Sequence, residues 1–214
     1  MMQPLGMATF ARFYDATDPQ RVTVVRDSKI ASVDRDSYMR RDYYSMIQNT
    51  LRRTHWDTND ISAFEDAIDP LLYQIASSNT KGGPAKRDNY EKLARAYVDY
   101  WVRQDASYFP IEQAELEIAG LPVLITPECG VYQHGDNFAV KLWFGAKPPK
   151  GKYKQAIQFL MLEAQRQLGW RTDLAPVILD IRRETFIYPQ RPPRDFTKAI
   201  ESQAAAFLYL WDSI

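Results

Sequence analysis

The stretch PECGVYQHGDNFAVKLWF, residues 127–144, decides how this chain is read. A short β-prone run, CGVYQ, meets a His134–Gly135–Asp136–Asn137 turn and returns as FAVKLWF, which only Lys141 interrupts. Two such runs around a glycine turn predict a hairpin. A strand apolar on both alternating faces belongs inside a sheet, so FAVKLWF predicts a central strand covered by helices on at least one side.

Working outward, ELEIA and PVLIT, joined at Gly120–Leu121, predict two preceding strands. Downstream, KPPKGKYK is a basic loop, and a helix is predicted from about residue 153 to 168. Its apolar face carries Tyr153, Ile157, Leu160, Met161, Ala164 and Leu168. PVILDI and ETFIY then read as a strand pair around Arg182 and Arg183, QRPPRD as a break, and residues 195–211 as a closing helix.

Before residue 111 the texture is helical. Tyr90, Leu93, Ala94, Tyr97, Val98 and Trp101 form one stripe that requires burial. A second helix is predicted from Asn59 or Asp60, with Pro70 kinking or ending it. Another follows a capping cluster at 34–37, with Met39, Tyr43, Met46, Ile47 and Leu51 on one face. SSNTKGGPAK reads as a loop. The first thirty residues predict a short β element, because TFARFY and RVTVVR are β-prone and DATDPQ between them is turn-rich. The expected organisation is a hairpin-like and helical extension over 1–87 and an α/β core over 88–214.

Composition narrows the class. In a chain of 214 residues, 45% hydrophobic and 13% aromatic content supplies a core and excludes disorder. Cys129 is the only cysteine, so no internal disulfide forms and a reducing compartment is permitted. No apolar run is long enough to span a membrane and no secretory signal is evident, so a soluble, cytoplasmic protein is expected. The net charge of zero hides an asymmetry: residues 1–140 hold 15 Lys/Arg against 20 Asp/Glu, whereas 141–198 hold 12 against 5. A basic segment of that kind suits a polyanion, or a surface whose acidic neighbours lie elsewhere in the chain.

Several chemistries lack their parts. Cys129-x4-His134 offers two zinc ligands where a structural site takes four. No nucleophile elbow, phosphate-binding loop or dinucleotide fingerprint occurs, and Cys129 reads as a small buried residue. What remains is Pro127-Glu128, ten residues, then Ala139-Val140-Lys141. An acid ending one strand and a lysine in the next can meet at a sheet edge. Carboxylates there hold Mg²⁺, and a lysine stabilises charge developing on a phosphodiester.

This arrangement resembles the PD-(D/E)XK nuclease superfamily, in its RecB-type branch. Glu128 stands where that branch has its first acid, Lys141 where it has its lysine, and Gln155-x-x-x-Phe159 where its helix carries Q-x-x-x-Y. The resemblance covers about residues 88–190. It implies a restriction-endonuclease-like mixed sheet flanked by helices, with a mainly helical N-terminal extension. The catalytic positions it implies are Glu128, Lys141 and Gln155, and Mg²⁺ is the implied cofactor. Two departures stand out: Ala139 occupies the second acid's position, and Phe159 lacks the tyrosine hydroxyl. A relocated metal ligand would have to come from Asp136, Glu117 or Asp180.

The basic loop Lys147, Lys150, Lys152 and Lys154 precedes a helix N-terminus, which favours phosphate, and Arg182 and Arg183 could extend that surface. Three functions stay open: a DNA- or RNA-binding protein with a degenerate nuclease core, an active Mg²⁺-dependent nuclease with a relocated acid, and a module binding a protein partner or forming a homo-oligomer. Fold alone does not choose among them.

Overall fold

The computed structural model describes residues 3–33, 43–77, 83–149, 151–191 and 193–214. Lys150, the capping cluster at 34–37 and Met39, all singled out above, lie outside the described residues, as do positions 78–82 of the expected loop. The helices are α1 (Met7–Asp15), α2 (Asp18–Val33), α3 (Ser45–Leu51), α4 (Ile61–Ser77), α5 (Gly83–Arg103), α6 (Gly151–Leu168) and α7 (Phe196–Ser213). The strands are β1 (Leu5–Gly6), β2 (Ser107–Phe109), β3 (Ala114–Ile118), β4 (Leu121–Ile125), β5 (Cys129–Gln133), β6 (Asp136–Trp143), β7 (Ala175–Asp180) and β8 (Thr185–Ile187).

The fold is α/β with two mixed sheets. The larger runs β2-β5-β6-β7-β8, and β6 is its central strand. β5 and β6 form the predicted hairpin, with Gln133 opposite Asp136. His134 and Gly135 both take positive φ, as a two-residue primed turn requires. β6 and β7 are parallel, with Lys141 beside Ile178 and Trp143 beside Asp180, so the chain must cross over between them, and α6 is that crossover.

Alternate residues of β6 and β7 enter two different cores. Val140, Leu142, Val177 and Leu179 face α3, α4 and α5 and meet the stripe Tyr90, Leu93, Tyr97 and Trp101. Ala139 and Ile178 face the other way, onto α1, α6 and α7. The central strand is thus covered on both sides, as its unbroken apolar character demands.

Three expectations are corrected. Among the described residues of the first thirty, helices α1 and α2 form, and Leu5–Gly6 is the only strand, pairing with β4. Met7, Phe10, Ala11 and Tyr14 are spaced for one helix face and are buried, so packing overrides β propensity. Pro70 does not end its helix: α4 continues through it to Ser77, because Leu71, Leu72 and Ile75 beyond it are buried. β3 and β4 do not join the main sheet. They form a second sheet with β1, bury Leu116, Val123 and Ile125 in the core of α1, α6 and α7, and leave β2 to pair with β5.

Leu5, Phe10 and Phe13 share one core with Leu160 and Phe207. Among the described residues, no helix is long and apolar enough to cross a membrane.

Candidate functional site

Glu128 lies just before β5, where its backbone N–H donates to Val140 O at 2.9 Å. That bond sets the acid beside β6. Its Oε1 receives the ammonium of Lys141, and its Oε2 accepts the Leu142 N–H at 2.8 Å. Lys141 Nζ also donates to Thr126 O at 3.4 Å. The two side chains are only 11% and 12% exposed, so this is a largely desolvated ion pair with both carboxylate oxygens engaged. The acid and lysine predicted to meet do meet.

The pair forms one wall of a cavity of about 580 Å³. Trp143, Phe144 and Gly145 continue that wall along the end of β6, and Tyr153 enters from the first turn of α6. The lining also includes Thr9 and Arg12 of α1, Asp27 of α2, and Tyr43, Tyr44 and Gln48 just before and within α3. Trp143 and Tyr153 pack with ring centroids 5.4 Å apart, and Tyr44 stacks on Phe144 at 5.6 Å. Gly145 permits this: a Cβ there would come 2.6 Å from the Trp143 indole. Burial, with the Glu128 carboxylate adding to it, raises the Tyr153 hydroxyl well above its ordinary value, so it stays protonated.

Other predicted residues fall elsewhere. Gln155 lines a separate small pocket with Gln158, Phe159 and Arg191, away from Glu128. Asp136 is exposed at the closed end of the β5–β6 hairpin, whereas Glu128 sits at its open end. Five residues at about 3.3 Å each separate Asp136 from Lys141 along β6. Glu117 is exposed on β3. Asp180 is buried beside Trp143, but its Oδ2 accepts from Arg183 Nη1 at 2.8 Å and it does not line the cavity. Ala139 is fully buried in the apolar core shared with α1 and α6, so packing fills the second acid's position.

The residues present do not fit Mg²⁺. Glu128 is committed to Lys141 and Leu142, Ala139 supplies no oxygen, and the described residues contain no group of three or more potential metal ligands. An ion that holds few protein oxygens needs at least free carboxylates.

The basic residues divide. Lys147 is exposed, and its carbonyl accepts from Trp143 Nε1 at 2.7 Å. Lys152 is exposed and lies over the Tyr14 ring at 5.7 Å, and Lys154 is half-buried. Asp15, however, takes part of the α6 N-terminus: its Oδ1 accepts the Lys152 N–H at 3.2 Å, where a phosphate oxygen was expected. Arg182 is half-buried and Arg183 exposed, and both already bond to the protein. Arg182 donates to Phe144 O at 3.2 Å and to Asn89, and Arg183 donates to Ala146 O at 2.9 Å. They fasten the end of β6 to α5 and β7.

Cys129 is fully buried, which pushes its thiol well up, and His134 lies exposed at the other end of β5. Arg12, Asp27 and Gln48 were not expected at the site. Only the packing of α1, α2 and α3 across β6 brings them there, and no spacing within the sequence signals it. Compared with known protein families, curated proteins and solved structures, the chain matches none.

Proposed function

We propose that this is a nucleic-acid-associated protein built on a degenerate PD-(D/E)XK-like core, binding DNA or RNA without efficient cleavage. The single observation that carries the reading is the Glu128–Lys141 contact in the wall of a cavity, with Glu128 just before β5, Lys141 on β6, and the predicted helix and later strand following as α6 and β7. The element order fits the resemblance, and so does the convergence of acid and lysine. The absence of efficient cleavage is supported by Ala139, buried where a second acid would stand, and by the occupied oxygens of Glu128.

Binding would fall to the cations before and within the first turn of α6, the exposed Lys147 and Lys152 and the half-buried Lys154. A fluorescence-anisotropy titration of a labelled oligonucleotide against salt tests this. Replacing all three lysines by alanine should weaken binding to every sequence alike and reduce the salt slope by about 0.7–0.9 for each phosphate no longer neutralised. An unchanged slope would leave these lysines as ordinary surface. No binding by the parent protein at low salt would favour the protein-interaction reading.

A further inference from the structure

We propose that the cavity receives one planar heteroaromatic ring with a hydrogen-bonding edge, a nucleobase, and not a phosphate group. This deepens the nucleic-acid reading, and it rests on that reading only for the strand as the source of the base.

Charge is the first argument. The described lining carries Arg12 and Lys141 against Asp27 and Glu128, a balanced set. A phosphate would have to displace Glu128 from Lys141 inside a site where both side chains are nearly nine-tenths covered. A neutral ring needs no such exchange.

The walls are the second. Trp143, Tyr153 and Tyr44 line the cavity with aromatic rings, and bases of every kind stack on such surfaces. Polar groups left open to a ligand are the third. Among the described residues, the side chains of Thr9, Asp27 and Gln48 make no hydrogen bond, yet all three line the cavity. They offer a hydroxyl, an acceptor pair and an amide, which together can read a base edge. A volume of about 580 Å³ lies within the range of small-ligand sites, mostly apolar with a few placed polar groups.

The base could belong to a free nucleotide or to a strand, and the test separates them. The probe is 2-aminopurine, whose fluorescence is quenched on stacking, used as the free riboside monophosphate and as the terminal residue of a single-stranded oligonucleotide. Saturable quenching is expected with both. Gln48→Ala, which removes a polar cavity group without opening a core, should weaken both by about tenfold. Trp143→Leu should abolish the quench, with circular dichroism checking that it folds. Quenching that is unchanged in Gln48→Ala overturns the proposal, as does an oligonucleotide that binds by anisotropy while neither probe is quenched; in the latter case strand binding stands. Binding of the free probe without any oligonucleotide binding supports the cavity and sinks the strand reading. No binding of either probe overturns both.

Discussion

Lys141 is the residue on which two accounts of this protein divide. In a working nuclease its ammonium would face substrate, whereas here it is neutralised by Glu128 in a desolvated pair. Removing one partner leaves the other charge buried and uncompensated, so Lys141→Met should destabilise the fold by roughly 1–3 kcal/mol. Adding Glu128→Gln should recover most of that loss. A double-mutant cycle from urea unfolding measures it, and additive effects would mean that the pair contributes little.

His55 makes a separate prediction. It is buried against Tyr97, Trp101 and Tyr108, with Nδ1 2.9 Å from the Tyr97 hydroxyl, which also accepts the Trp56 Nε1–H at 2.9 Å. Burial lowers its pKa to about 4, against a small opposing pull from Asp60. A base whose pKa is depressed on folding stabilises the protein above its unfolded value of about 6.5 and loses that contribution as pH falls from there towards 4. The loss is bounded at about 3 kcal/mol. Denaturant midpoints should therefore drop between pH 7 and pH 4 in the parent and drop less in His55→Asn. Parallel curves would remove His55 from the acid response.

Elements show why parts of this fold are legible in the sequence and others are not. The β5–β6 hairpin, the central strand and the α5 stripe follow from local patterns, since a turn dipeptide and a single period suffice to specify each. The N-terminal helices mislead for equally local reasons. DATDPQ looks like a turn, yet Thr17-x-x-Gln20 supplies the Gln half of a capping box: Gln20 Oε1 accepts both the Thr17 N–H and the Thr17 hydroxyl at 3.0 Å. The β-prone valines of RVTVVR mask that signal, although Val25 alone among them is fully buried. The departure of β4 into a second sheet has no local signal. It depends on β2 occupying the edge of β5, and there Gly130 matters: a Cβ at that position would overlap the Phe109 ring. Gly130→Ala should accordingly cost about 1–3 kcal/mol through overpacking. Thermal unfolding would register it as a fall of several degrees, and an unchanged midpoint would show that Phe109 moves aside freely.

At the scale of the whole molecule, the candidate site is a product of elements far apart in sequence. Glu128 and Lys141 are legible because only twelve residues, folded as one hairpin, separate them. Arg12, Asp27, Gln48 and Tyr153 complete the cavity from three N-terminal helices and the crossover helix. Gln155, sought in the motif, instead turns towards a separate pocket. The protein is therefore proposed to hold a nucleic-acid site that keeps the framework of a nuclease while its metal-holding carboxylates are absent or engaged. A gel with end-labelled single- and double-stranded DNA and RNA, incubated with the protein and Mg²⁺ or Mn²⁺, reads binding and cutting together. The predicted result is a retarded band whose label, recovered after denaturation, remains at full length. Shortened label that vanishes in both Glu128→Ala and Lys141→Ala would contradict the account.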